Sequence, residues 1–178
     1  IEIAAVGPVM LKVAAEESDG VMLHGFCTRK YLEGSVMPRL ELGLYKSGRS
    51  RKGFEVSGGG FVATGVDDEA VAKMFEWIRM RVGFYGSTPA YWPVFEAHGL
   101  EDLGHKLNDM SKKGLWDEMT REISDDVVHL FSAVGRHDQL VKVVSERFGN
   151  LVDIVSLPPD TPAEVIQDVR AIPALCDG

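Results

Sequence analysis

The segment Ala4-Ala5-Val6-Gly7-Pro8, near the amino end of the chain, has the residue types of an anion site. An apolar run ends here in a tight turn, and a helical pattern begins directly after it. Free backbone N–H groups at a helix N-terminus attract anions, and small residues let a phosphate approach the backbone. Proline also suits the first turn of any helix. The segment is therefore either a phosphate site or a purely structural turn.

A single histidine, His24, occupies the second position where chemistry is possible. It follows the apolar run Val21-Met22-Leu23 and precedes Gly25, so it lies at the carboxyl end of a predicted strand. In parallel α/β folds this end of the sheet binds ligands. Because one histidine without a catalytic partner specifies no reaction, a structural histidine that caps the loop remains the alternative.

Two further segments have both a structural and a functional interpretation. The run Ser57-Gly58-Gly59-Gly60 lacks the spacing of a phosphate-binding loop, and we interpret it as a point where a neighbouring segment or a ring system approaches the strand. An aromatic group further along the chain either lines a ligand pocket or forms an apolar cluster under a long loop. Its members are Phe84, Tyr85, Tyr91, Trp92 and Phe95.

The other reactive residue types show no catalytic or metal-binding spacing. The remaining histidines form no pair of the type His-x-x-x-His, so the sequence predicts no metal site. No Ser-His-Asp or Cys-His order indicates a nucleophile. The two cysteines, Cys27 and Cys176, form neither a disulfide framework nor a paired ligand set, which favours a cytoplasmic protein.

Composition and charge favour a single globular domain with a small molecule or a protein as its partner. The 178 residues are 45% hydrophobic and 26% charged, and they contain no apolar run long enough to span a membrane. The formal net charge is −8, from 19 basic and 27 acidic residues. Because nucleic acids and anionic membranes bind clustered Lys and Arg, neither is an expected partner.

Strands and helices alternate along the chain. The pattern predicts strand–helix units over 1–17, 21–45 and 54–81, and Pro38 kinks or restarts the second helix. Apolar strands that alternate with amphipathic helices are typical of right-handed βαβ units. The predicted fold class is therefore α/β with a parallel sheet that is buried on both faces.

The second half of the chain is less regular. Residues 83–126 are too many for a simple connection and predict an insertion, which in such folds forms a lid or an oligomer contact. After it the pattern predicts an apolar strand within 127–134, a helix over 135–148 and a last strand over 152–157.

Several segments, taken in order, resemble the luciferase-like monooxygenase superfamily, and within it the branch that uses the deazaflavin coenzyme F420. The segments are residues 1–14, residues 19–25, Val36-Met37-Pro38 ahead of Ser47-Gly48-Arg49-Ser50, Val134-Gly135, and residues 152–155. They are specific as a set, and they cover most of the chain apart from the insertion.

The resemblance implies a fold and a site. Members of this family are (β/α)8 barrels of about twice this length, so residues 1–178 would form one unit, the carboxyl-terminal half with strands five to eight. The backbone of Ala4–Gly7 would hold the phosphate of the cofactor. His24 would lie near the substrate pocket, with Thr28 in the following loop as a second substrate residue. The catalytic groups are expected in the first half of the barrel.

The resemblance also implies an activity. The protein would be an oxidoreductase that transfers a hydride between coenzyme F420 and a small organic substrate, while the chain supplies position and excludes water. One alternative is an FMN-dependent monooxygenase of the same superfamily. Another is a barrel without catalytic activity that binds a flavin-like ligand or assembles with a protein.

Half of a barrel also needs a partner. Four strands taken from an eight-stranded barrel have two unpaired edges and an apolar inner face. We therefore expect this face to be covered by the first half of the same barrel or by a second copy of the chain, as in a homo-oligomer.

Overall fold

The computed structural model describes residues 1–172, so Cys176 lies outside the described residues. The strands are β1 (Glu2–Ala5), β2 (Gly20–Leu23), β3 (Glu55–Gly58), β4 (Phe61–Ala63) and β5 (Ser132–Val134). The helices are α1 (Pro8–Glu17), α2 (Arg29–Tyr31), α3 (Met37–Lys46), α4 (Asp68–Gly86), α5 (Trp92–Glu96), α6 (Glu101–Lys112), α7 (Trp116–Arg121), α8 (Asp125–Phe131), α9 (Leu140–Phe148) and α10 (Ala163–Arg170).

The strands form two small parallel sheets. The first has the order β1-β2-β3, and a single parallel bridge joins Ser57 of β3 to Ile154. The second pairs β4 with β5. Both neighbouring pairs of the first sheet are connected through helices, which confirms the predicted βαβ order and the α/β class.

The two faces of the first sheet differ in burial. Val21 and Val56 are fully buried on the face that packs under the helices. On the opposite face Ala4 pairs in register with Met22, and both are exposed. Because side chains alternate across a strand, this second face of β1 and β2 is left without cover by residues 1–172. Residues 1–172 by themselves therefore bury only one face of β1 and β2, and burial of the second face stays a prediction.

The predicted break at Pro38 is confirmed. A wide π-helical turn, Leu32–Val36, separates α2 from α3, and Pro38 lies in the first turn of α3. Proline lacks the N–H that would continue the hydrogen-bond ladder, so the helix widens before Pro38 and α3 begins one residue ahead of it, at Met37.

Residues 127–131 are helical, and the predicted strand is confined to β5. The hydroxyl of Ser124 caps α8 by accepting a hydrogen bond from the N–H of Val127, and two aspartates occupy the first turn. Capping and the favourable interaction of acids with the helix dipole stabilise a helix here. The strand interpretation rests on the apolar run alone, and an apolar run of this length fits both structures.

The last predicted strand, 152–157, is reduced to the bridge at Ile154. The carboxylate of Asp153 accepts a hydrogen bond from the N–H of Val56 at 2.5 Å and pairs with Arg51 at 2.6 Å. A side chain thus occupies a ladder position of β3, and the regular pairing does not extend further.

The residues between β4 and β5 are mostly helical. Helix α4 extends to Gly86, beyond the predicted end at Arg81, and α5 to α8 follow. Together with Phe26 they form an aromatic core in which the Phe26 ring lies 5.2 Å from Phe95 and 4.4 Å from Phe131. Among residues 1–172, no helix is both long and apolar enough to cross a membrane.

Candidate functional site

The turn after β1 lies at the N-terminus of α1. Gly7 is the N-cap residue and contributes no side-chain cap, and its carbonyl accepts the hydrogen bond of Leu11. Ala4 is exposed, Ala5 is buried, and Val6 is 38% exposed. Since the first N–H groups of a helix have no partner within the helix, this end of α1 can accept an anion.

The backbone at Gly7 is open toward solvent. A Cβ atom added to Gly7 would meet nothing within 4 Å, and the φ angle of −92° is one that any residue adopts. The glycine is therefore not required by the fold. What it leaves free is the space directly in front of the helix N-terminus.

His24 follows β2 and contacts two tyrosines of the helical segment. Its ring lies 4.4 Å from the ring of Tyr85 and 4.8 Å from that of Tyr91. The backbone N–H of Phe26 donates to Nδ1 at 3.0 Å, so the neutral ring carries its proton on Nε2. Burial, helped by the positive charge of Arg81, lowers the pKa of His24 below its usual value of 6.5. His24 is thus a neutral hydrogen-bond donor at neutral pH.

Thr28 is buried and its hydroxyl is fully engaged. The Oγ1 atom accepts the N–H of Tyr31 as the cap of α2, and it lies 2.8 Å from Nε2 of His98. Burial also lowers the pKa of His98. The Thr28–His98 bond joins the loop after β2 to the loop between α5 and α6. The contacts of His24 with Tyr85 and Tyr91 join the same loop to the helical residues between β4 and β5.

The glycine run marks close approaches, as predicted. A Cβ on Gly58 would lie 2.3 Å from the carbonyl oxygen of Leu23, and one on Gly60 would lie 2.9 Å from the Phe148 ring. The buried Arg147 crosses at the same place and donates to the carbonyls of Cys27 and Gly59 at 2.7 and 3.2 Å. These contacts tie the end of β3 to the loop after β2.

Sheet register brings the turn and His24 to one edge. Ala5 pairs with Leu23, and Leu23 pairs with Gly58, so the residues that follow each strand leave the sheet side by side. Val6, His24 and the glycine run therefore share the carboxyl edge, where parallel sheets bind ligands. Within residues 1–172, no three His, Cys, Asp or Glu side chains are grouped as metal ligands.

Two residues near this edge are not evident from the sequence. His98 lies 70 residues after Thr28. Arg81 is also far from His24 along the chain, and tertiary packing brings the two close, with Tyr85 in contact with both. Arg81 precedes Tyr85 by one helical turn on α4, which is the spacing of helix neighbours. That spacing is the one signal that could associate Arg81 with the aromatic group.

Comparison with known proteins shows where the chain belongs. The luciferase-like monooxygenase family matches residues 1–153. The "Uncharacterized protein Rv1360" of Mycobacterium tuberculosis is 40% identical over 153 residues, which cover 86% of this chain and 45% of that protein. The 5,10-methylenetetrahydromethanopterin reductase of Archaeoglobus fulgidus is 29% identical over 153 residues, covering 82% of this chain and 44% of the reductase.

Solved structures give the same fold. The coenzyme F420-dependent tetrahydromethanopterin reductase from Methanopyrus kandleri superposes with a TM-score of 0.69 at 24% identity, over 95% of this chain and 47% of that one. An F420-dependent secondary alcohol dehydrogenase, in complex with an F420-acetone adduct, superposes with a TM-score of 0.59 at 14% identity and covers 95% and 48% of the two chains.

Two facts follow from these matches. The chain spans about half the length of the relatives and solved structures that it matches. Its parallel β/α units have the fold of the corresponding part of a luciferase-like TIM barrel. With the family match over residues 1–153 and the shared fold, the chain belongs to the luciferase-like monooxygenase family.

Proposed function

We propose that this chain forms half of the barrel of a coenzyme F420-dependent oxidoreductase, which transfers a hydride between the deazaflavin and a small organic substrate. One observation carries the proposal: the open turn at Gly7 and the half-buried His24 lie at the same carboxyl edge of neighbouring parallel strands. The reductase and the secondary alcohol dehydrogenase with the same fold are both F420-dependent, which supports the choice of coenzyme.

The turn after β1 fits an anionic group of the coenzyme. The space in front of α1 is open at Gly7, and the anionic group would lie against the backbone of Ala4, Ala5, Val6 and Gly7. Backbone N–H groups and the helix dipole would hold a phosphate there. When bound, the deazaflavin supplies the hydride chemistry, and the protein supplies position and excludes water.

His24 would contact the substrate as a hydrogen-bond donor. Its Nδ1 atom is occupied by the N–H of Phe26, which leaves Nε2–H for a carbonyl or hydroxyl oxygen. Because the pKa of His24 is lowered, the ring is neutral at pH 7. Thr28 would act on the site indirectly: it caps α2 and holds His98, and so it positions the loop that carries His24.

We further propose that the exposed face of the first sheet is covered by the strands that complete the barrel, from a longer chain or from a second copy. Ala4 and Met22 lie on this face, and Met22 is 53% exposed. Exposed apolar residues on a sheet face favour association. Sedimentation of the 178-residue chain at micromolar concentration tests this, and a cooperatively folding monomer would contradict it.

Calorimetric titration of the full-length protein with coenzyme F420, and separately with FMN, tests the function. We expect tighter binding of F420, followed by oxidation or reduction of the bound coenzyme when alcohol or carbonyl substrates are added. Tighter binding of FMN would favour the monooxygenase alternative. Binding of F420 without turnover on any substrate would favour a barrel without catalytic activity.

A further inference from the structure

The guanidinium group of Arg81 is stacked against aromatic rings. Its central carbon lies 4.8 Å from the centre of the Trp77 ring and 5.6 Å from that of Tyr85. Such stacking fixes the plane of the guanidinium and leaves its N–H edge available to an acceptor. Its Nε atom is buried and has no hydrogen-bond partner among residues 1–172.

None of the ion pairs among residues 1–172 includes Arg81. The contrast with Arg79, two residues earlier on α4, is direct. Arg79 pairs with Glu76 at 2.9 Å, and it also pairs with Asp125. The charge of Arg81 is therefore met by aromatic rings and not by a carboxylate, so the position is suited to an anion from outside the chain.

Arg81 belongs to a cluster of side chains that includes His24, the residue that follows β2. The ring of Tyr85 contacts both Arg81 and His24, at 5.6 Å from the guanidinium carbon and 4.4 Å from the histidine ring. Tyr91 lies 4.8 Å from His24. All four side chains are partly exposed to solvent, so a ligand from outside the chain can reach each of them.

We propose that Arg81 binds an anionic oxygen group, a carboxylate or a phosphate, of the substrate. Guanidinium groups bind both in a bidentate manner. Tyr85 and Tyr91 would pack against the apolar part of the same molecule, and Nε2–H of His24 would donate to its reacting oxygen. This inference rests on the proposed function for the identity of the reaction, and it narrows the substrate to an anionic carbonyl or hydroxyl compound.

Binding of simple probes to the full-length protein without coenzyme tests the inference. Benzoate and phenyl phosphate carry the ring and the anion, and benzamide is the neutral control. We expect Arg81→Gln to weaken the better of the two anions about 10- to 100-fold, as for a lost hydrogen-bonded charge. Arg81→Lys should retain part of the affinity, and Arg121→Gln, at an exposed arginine of α7, should retain all of it.

Thermal unfolding of each variant verifies that it is folded at the temperature of the titration. The anion that loses more affinity in Arg81→Gln identifies the group as a carboxylate or a phosphate. Equal affinity of the wild type and Arg81→Gln would overturn the inference, and so would a failure of both anions to bind more tightly than benzamide. Because no coenzyme is present, this titration and the titration with coenzyme F420 test separate claims. Either claim can fail while the other holds.

Discussion

Replacement of Gly7 by leucine distinguishes an effect on coenzyme binding from an effect on the stability of the fold. The φ and ψ angles of Gly7, −92° and 166°, are extended and suit any residue, and its Cβ would meet no atom within 4 Å. The added side chain therefore causes neither strain nor a clash. It would extend into the space in front of α1, where the phosphate of the coenzyme is proposed to lie.

The two effects of this substitution differ in size. Leucine is a poorer N-cap than glycine, which costs about 0.5–1 kcal/mol of the free energy of unfolding. Exclusion of a phosphate removes hydrogen bonds to a charged group, each worth about 1.5–3 kcal/mol. Loss of even one such bond weakens coenzyme binding at least about tenfold.

Calorimetric titration with coenzyme F420 and denaturant unfolding of the same samples provide both numbers. Gly34→Leu is the matched control, because Gly34 also has open space around its Cβ and lies in the turn before α3. It should bind the coenzyme as the wild type does. If Gly7→Leu retained full affinity, or lost stability and affinity in equal measure, the phosphate assignment would be refuted.

Three further predictions concern the fold around the site. Gly58→Ala should destabilise the protein by more than about 2 kcal/mol in denaturant unfolding, because the new Cβ meets a backbone carbonyl of β2 at a φ of +83°. Gly53→Ala, at a φ of +80° with open space around its Cβ, should cost only the strain of about 1–2 kcal/mol, and equal costs for the two glycines would count against the close approach. Phe26→Ala should cost about 3–5 kcal/mol, measured by thermal unfolding, since four aromatic rings pack around Phe26; a cost under about 1 kcal/mol would contradict the packing. Burial lowers the pKa of His24 and His98 in the folded protein, so the unfolded chain binds protons first on acidification, and the free energy of unfolding should fall as the pH drops below about 6.5. Glutamine at both positions should flatten the pH dependence of the free energy of unfolding between about pH 7 and 5. An unchanged slope would contradict its assignment to these two histidines.

Much of the fold can be predicted because its signals are local. The alternation of apolar runs and amphipathic helices indicates parallel βαβ units, and Pro38 indicates the restart of a helix that the wide turn before α3 confirms. The glycine run indicates close approach of other groups, which the contacts of Gly58 and Gly60 confirm. In each case a backbone requirement is expressed by the residue that meets it.

Other elements cannot be predicted from hydrophobic periodicity. The apolar residues of 127–134 fit a strand and a helix equally, and the cap at Ser124 favours the helix up to Phe131. The strand over 152–157 fails for a different reason. The carboxylate of Asp153 binds the N–H of Val56, a residue 97 positions earlier in the chain, and no local pattern reports such a contact.

One part of the candidate site can be predicted from the sequence, and another part depends on the tertiary structure. Residue order along the chain is enough to place Gly7 and His24 after neighbouring strands, because the carboxyl ends of parallel strands always meet at one edge of the sheet. What surrounds them depends on tertiary packing: Thr28 is buried against His98, Tyr85 and Tyr91 contact His24, and Arg81 lies beside them. Those contacts join residues that are distant along the chain, and they depend on how the helices between β4 and β5 pack, which periodicity does not encode.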